Sequence, residues 1–136
     1  GEIPPRMINP TQLPDVLGVD GPLAGVLAAM RWSPHASWVV AACDMPQLSF
    51  PALDWLISNR QPGVWAVLPQ GGEPREVEPL LAYYDCRSHA VLESQLELGN
   101  HSLAAIQKHA KTATPEIPPH LRDAWVNANQ PEEIQR

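Results

Sequence analysis

Trp38-Val39-Val40-Ala41-Ala42-Cys43-Asp44-Met45-Pro46 is the stretch whose reading decides the fold. Six apolar or small residues follow one another without polar alternation, the pattern of a strand buried on both faces. Asp44 ends the run, and Pro46 fixes the direction in which the chain leaves. A strand covered on both faces needs helices on both faces, so the expected architecture is a three-layer α/β/α sandwich with a largely parallel sheet. In such sheets ligands bind at the carboxyl ends of the strands, which places the expected site at Asp44.

Working outward, the segment 1–15 carries Pro4, Pro5, Pro10 and Pro14 and reads as extended chain or a poor edge strand. A turn cluster, Gly18 to Pro22, precedes Leu23, Val26, Leu27 and Met30 at helical spacing, so a helix is expected over 22–31 with Pro22 in its first turn. After Asp44, a helix through Phe50, Leu53, Leu56 and Ile57 should stop before Pro62-Gly63. A strand over 64–68 is closed by Pro69, a polar loop covers 70–77, and an apolar strand resumes over 79–84. Val91, Leu92, Gln95, Leu96, Leu103 and Ile106 fit one or two helices broken at Gly99-Asn100. The proline-broken stretch 113–119 is expected to cross the surface, 124–127 to form a short strand, and Pro131-Glu132-Glu133 to begin a terminal helix.

The 136 residues suit one domain spanning 1–136, and 44% hydrophobic content is enough for a core. No run approaches the ~18 apolar residues of a membrane helix, and the first residues lack the order of a secretion signal, so a cytoplasmic protein with no membrane partner is expected. A net charge of -6 without a basic cluster argues against nucleic acid as a partner. Cys43 and Cys86 match no metal or redox spacing and read as small buried residues of a reduced protein. The five histidines show no ligand spacing and read as surface residues, and no nucleophile elbow is present. Tyr83 and Tyr84 read as packing residues.

Three local patterns carry chemistry. Asp44 stands where a magnesium ligand belongs, since Mg²⁺ takes one or two protein ligands and fills its shell with water and phosphate; the plainer alternative is that it caps the following helix. Gly21 and Gly25 flank a helix N-terminus, which favours the anionic atoms of a ligand, although Gly-Pro before a helix also serves simply as a turn. Asn127 and Asn129 would point to one side of an extended chain, suited to a metal or a ribose, or else to holding a turn. The strand-end rule also singles out Asp15 and Glu78.

Taken in order, Asp15, Gly21-Pro22-Leu23-Ala24-Gly25, Cys43-Asp44-Met45-Pro46, Glu78-Pro79-Leu80-Leu81-Ala82 and Val126-Asn127-Ala128-Asn129-Gln130-Pro131-Glu132-Glu133 resemble the molybdenum cofactor guanylyltransferase family. Cytidylyltransferases of the same cofactor share the Cys-Asp-Met-Pro-like strand end but are less similar at Gly-Pro-Leu-Ala-Gly. The resemblance implies a Rossmann-like nucleotidyltransferase sheet and transfer of GMP from Mg²⁺-bound GTP to molybdopterin or the molybdenum cofactor, with release of pyrophosphate. It implies that Asp44 is the catalytic magnesium ligand, joined by Asn129, that Asp15 and Gly21 contact the nucleotide with Asp44, and that Asn127 and Asn129 close the site on the acceptor side. The implied partners are GTP, the cofactor and molybdoenzyme maturation proteins.

Members of that family also carry a first strand leading into a Leu-Ala-Gly-Gly loop, an Arg-Met-Gly segment and a Lys. None of these is found here: the first lysine is Lys108, and Arg6 and Arg31 are the basic residues ahead of Asp44. The family's Asn-Thr-Pro is replaced by Asn129-Gln130-Pro131. The expectation is therefore the carboxyl-terminal two-thirds of the family fold, a sheet incomplete at its amino-terminal edge, with negligible guanylyltransferase activity by itself. A non-catalytic α/β accessory module, and a nucleotidyltransferase acting on a sugar phosphate or another cofactor, are the alternatives.

Overall fold

The computed structural model describes residues 6–8, 21–42, 44–71 and 76–126. Strand β1 (Arg6–Ile8) is followed by helix α1 (Pro22–Trp32), strand β2 (Trp38–Val40), helix α2 (Phe50–Ser58), strands β3 (Ala66–Val67) and β4 (Ala82–Tyr84), helix α3 (Ser88–Glu97) and strand β5 (Thr112–Ala113). Two 3-10 helices, Leu103–Lys108 and Pro119–Trp125, complete the described elements.

The strands form one sheet in the order β1-β2-β4-β3-β5. β1 pairs parallel with β2 and β3 with β5, while β4 is antiparallel to both β2 and β3. Four strands therefore share one direction and β4 alone opposes them, but because β4 lies between β2 and β3 the sheet is mixed, with β1–β2 and β3–β5 parallel and both pairings of β4 antiparallel, rather than largely parallel as expected. The start of β4 consequently lies at the same edge as the ends of β1, β2, β3 and β5.

Alternation along the strands divides the core in two. Trp38, Val40, Ala66, Leu68, Ala82 and Tyr84 pack with α1, with Leu92 of α3 and with the 3-10 helix at Leu103 and Ile106. Val39, Ala41, Val67, Leu81 and Tyr83 pack on the other face with Ala52 and Leu56 of α2 and with Leu121, Ala124 and Trp125. This is the expected α/β/α layering. α1 is buried along nearly its whole circumference, including Ala24, Gly25 and Ala29, and such small residues let a helix lie close to the sheet.

Punctuation in the sequence sets most boundaries. α1 starts at Gly21, whose φ of 69° is a backbone state that side chains disfavour, with Pro22 at its first position. Ser49 caps α2, its side chain accepting from the Ala52 amide at 3.4 Å. Gly99, at φ 83°, follows the end of α3.

Three further expectations change. The described part of 124–127 is not a strand: Trp125 ends a 3-10 helix with its side chain in the core, where it covers the apolar face beside β4, while Asn127 and the helix expected from Pro131 lie outside the described residues. The stretch 113–119 does not simply cross the surface: Ala113 belongs to β5, Glu116 bridges to Gln70, and Ile117 is buried. Cys86 is only partly buried, burial still pushing its thiol pKa up, while Cys43 lies outside the described residues. Of the histidines, His35 and His120 are exposed, whereas His89 pairs with Glu93 at 2.8 Å and His109 stacks on Trp65. Tyr83 and Tyr84 are core residues as expected.

α1 and α3 are tied at the surface by Arg31, which donates to both carboxylate oxygens of Glu93 at 2.7 Å. Those bonds from Arg31 hold Glu93 below the usual carboxylate range; partial burial opposes them and the bond with His89 assists. Because the folded-state pKa is depressed, this contribution is full above the unfolded Glu value, about 4.3, and is lost as pH falls through the folded value. Being partly exposed, the pair should contribute less than about 1 kcal/mol. Arg31→Met should flatten this part of the stability profile below about pH 5, as read from urea unfolding at a series of pH values. Gly21→Ala should cost about 1–3 kcal/mol through backbone strain at its φ of 69°, since no atom of the described residues lies within 4 Å of the Cβ it would add. Unfolding midpoints of the two proteins measure that difference.

Candidate functional site

Asp44 lies four residues beyond the end of β2, partly buried, in a turn whose next residue, Met45, is anchored in the core below α2. The Leu48 amide donates to the Met45 carbonyl at 3.3 Å, which keeps the segment between β2 and α2 compact. Since Ser49 supplies the cap of α2, that role does not fall to Asp44. The strand itself is shorter than the apolar run, ending at Val40 rather than Cys43. The reason lies in β4: Leu81, next to the paired Ala82, has φ 58° and turns the neighbouring chain out of the ladder.

Gly21 comes to the same edge by topology. α1 connects two parallel neighbours, β1 and β2, so its N-terminus stands at the carboxyl end of the strands. Among the described residues no side chain caps this end of the helix and no atom stands within 4 Å of the Cβ that Gly21 lacks, a setting in which a ligand atom can approach the backbone. Asp15, Asn127 and Asn129 lie outside the described residues. Trp125 is fixed at this edge by a hydrogen bond from its indole nitrogen to the Leu81 carbonyl at 3.0 Å.

The start of β4 forms the third part of the edge. The Glu78 amide donates to the Pro69 carbonyl at 2.7 Å, and the carboxylate of Glu78 lies beside Gly71, where an added Cβ would meet Oε2 at 3.5 Å. The Tyr84 hydroxyl donates to the Pro79 carbonyl at 2.6 Å, and burial pushes its pKa well up, so it remains a neutral donor. The Leu81 amide donates to the Val40 carbonyl. Leu81, Tyr84 and Trp125 thus build the edge; Leu81 lies within the Glu78–Ala82 motif, but sequence reasoning assigned none of the three a role in the site. Local sequence carries no signal for Leu81, since it is neither Gly, Asn nor Asp, the residues that adopt positive φ readily.

Among the described residues no group of three or more His, Cys, Asp or Glu side chains could hold a metal. A metal at this edge would therefore draw most of its ligands from a substrate and water, with a carboxylate such as Asp44 as the protein's contribution, which is the donor set that suits Mg²⁺. The charged cleft lined by Arg60, Tyr83, Asp85 and Arg87 lies at the opposite edge, where β4 ends. Its charges are engaged with one another. Burial raises the Asp85 pKa, but bonds from the Arg87 side chain and backbone, helped by Tyr83, bring it below the usual value. Arg87 also donates to the Pro62 carbonyl at 3.1 Å.

Known proteins share the sequence pattern and the fold. A protein of Thermococcus gammatolerans named probable molybdenum cofactor guanylyltransferase is 33% identical over 118 residues, which are 84% of this chain and 60% of the relative. A protein of the same name from Pelotomaculum thermopropionicum is 31% identical over 84 residues, 62% of this chain and 40% of the relative. The chain thus spans less than two thirds of the length of either. Among solved structures, molybdopterin-guanine dinucleotide biosynthesis protein A from Archaeoglobus fulgidus superposes with a TM-score of 0.70 at 28% identity, covering 90% of this chain and 63% of that one. A protein of Aquifex aeolicus, at 18% identity and a TM-score of 0.66 over 79% of this chain and 56% of its own, shares the fold. The model of the MobA-like NTP transferase domain matches residues 7–113, and the chain belongs to that family.

Proposed function

We propose that the edge holding Asp44 and Gly21 is the nucleotide site of a molybdenum cofactor guanylyltransferase, of which this chain carries a part. The observation that carries the reading is the placement of Asp44. It is a carboxylate held by a buried strand at the edge where the N-terminus of α1 also arrives, in a chain of the MobA-like family.

In the proposed reaction an oxygen of the terminal phosphate of molybdopterin, or of its molybdenum-loaded form, bonds to the α-phosphorus of GTP. The bond from that phosphorus to the bridging oxygen of the β-phosphate breaks, and pyrophosphate leaves with the electron pair. No protein nucleophile is required, so the chain's task is to bind, orient and neutralise. Mg²⁺, when bound, would draw negative charge from the phosphates. Asp44 would hold it, with Asn129 as a further ligand. The open backbone at Gly21 and the N-terminus of α1 would receive an anionic part of the nucleotide. Asp15 would add a nucleotide contact, and Asn127 and Asn129 would close the acceptor side.

Thermal unfolding with GTP, CTP or ATP, each with and without Mg²⁺, tests the proposal. A hundredfold excess of ligand over its Kd adds about 2.7 kcal/mol of stability, so Mg·GTP should raise the Tm by several degrees and the other nucleotides by less. Asp44→Ala should remove the Mg²⁺-dependent part of the rise. Equal stabilisation by all three nucleotides, or an unchanged Mg²⁺ response in Asp44→Ala, would refute the assignment.

A further inference from the structure

We propose that Trp125 and Tyr84 are positioning residues that clamp the strained Leu81 turn from the two faces of the sheet and thereby hold the Asp44 strand end in place. The functional part of this inference rests on reading that edge as the nucleotide site.

Leu81 is the non-glycine residue with positive φ among those described, and a branched, fully buried side chain adopts that state only where surrounding contacts impose it. From the α2 side, the buried Trp125 donates its indole proton to the Leu81 carbonyl at 3.0 Å. From the α1 side, the buried Tyr84 donates its hydroxyl proton to the Pro79 carbonyl at 2.6 Å, two residues upstream. Between them the Leu81 amide donates to the carbonyl of Val40, the last residue of β2.

Trp125 also reaches the far end of the Asp44 segment. Its ring packs edge-to-face against Trp55 of α2, with centroids 5.7 Å apart and planes at 84°. Asp44 lies in the short connection between Val40 and α2, and Trp125 governs both attachments, one through Leu81 and the other through Trp55. Both donors are buried in apolar surroundings, where an aromatic hydrogen bond left unmade is costly, so the clamp is strongly favoured over an open arrangement.

The test compares the wild-type chain with Trp125→Phe and Tyr84→Phe, which delete the donors and keep aromatic rings, and with Ile106→Val, a core change on the α3 side away from this edge. Hydrogen exchange of the amides over 40–48 and 80–82 is read first. Exchange there should rise about tenfold in Trp125→Phe and about threefold in Tyr84→Phe, as expected when a local opening loses a hydrogen bond, and should not rise selectively in Ile106→Val. The apparent Kd for Mg·GTP, fitted from the dependence of the Tm on ligand concentration, should rise at least about fivefold in Trp125→Phe. Tyr84→Phe keeps the proposal testable if Trp125→Phe does not fold. Unaltered exchange over 40–48 in the folded variants overturns the clamp whatever the nucleotide does. Faster exchange with an unaltered apparent Kd overturns its positioning of the site. Faster exchange in a protein whose wild type does not respond to Mg·GTP upholds the clamp and removes the nucleotide reading instead.

Discussion

The peptide of Leu81 connects three segments of the chain that are distant in sequence. Its amide bonds the end of β2 and its carbonyl takes the indole proton of Trp125, while its own backbone is held at φ 58°. The geometry follows from the direction of β4. In a sheet whose other four strands run one way, the start of β4 is forced to meet their ends, and the chain entering β4 must turn sharply there. Strain of this kind costs about 1–3 kcal/mol, and two buried hydrogen bonds to the same short segment are of a size to offset it. The edge that results carries Asp44 in the turn beyond β2 and Gly21 at the start of α1.

Charge is distributed unevenly about this frame. Around Asp85 and Arg87, and again between Arg31, Glu93 and His89, opposite charges meet at hydrogen-bond distance and tie loops and helices together. At the carboxyl edge the described charged residues include the carboxylates of Asp44, Glu78 and Glu116, whose backbones are set by the end of β2, the start of β4 and the bridge to Gln70. Under the proposed reading a divalent cation held by Asp44 would stand between that carboxylate and the phosphates of the nucleotide.

Membership of a nucleotidyltransferase family and the geometry of the edge bear on different questions. The family match over 7–113 covers the strand ends and the start of α1, whereas Trp125 lies beyond it. The structure joins that later segment to the matched part through a buried hydrogen bond. A side chain outside the matched region is thus built into the same edge.

Much of the fold was legible locally. The unbroken apolar run at 38–43 announced a doubly covered strand, Gly21-Pro22 and Gly99 marked helix boundaries, and Asp44 followed as the residue at a strand end. Other features were not legible because nothing local distinguishes them. The three residues Ala124-Trp125-Val126 suit a strand or a 3-10 turn equally, and the neighbouring apolar face, supplied by residues about forty to seventy positions earlier, selects the turn. Ile117 is drawn inward from a proline-broken stretch by its pairing with Gln70. By itself, then, the sequence determined the layered architecture and the candidacy of Asp44 and Gly21, since burial pattern and glycine or proline punctuation are properties of neighbouring residues. Tertiary structure decided the reversed β4, the left-handed Leu81 and the inward Trp125, because each depends on hydrogen bonds and packing partners that only the assembled sheet brings within reach.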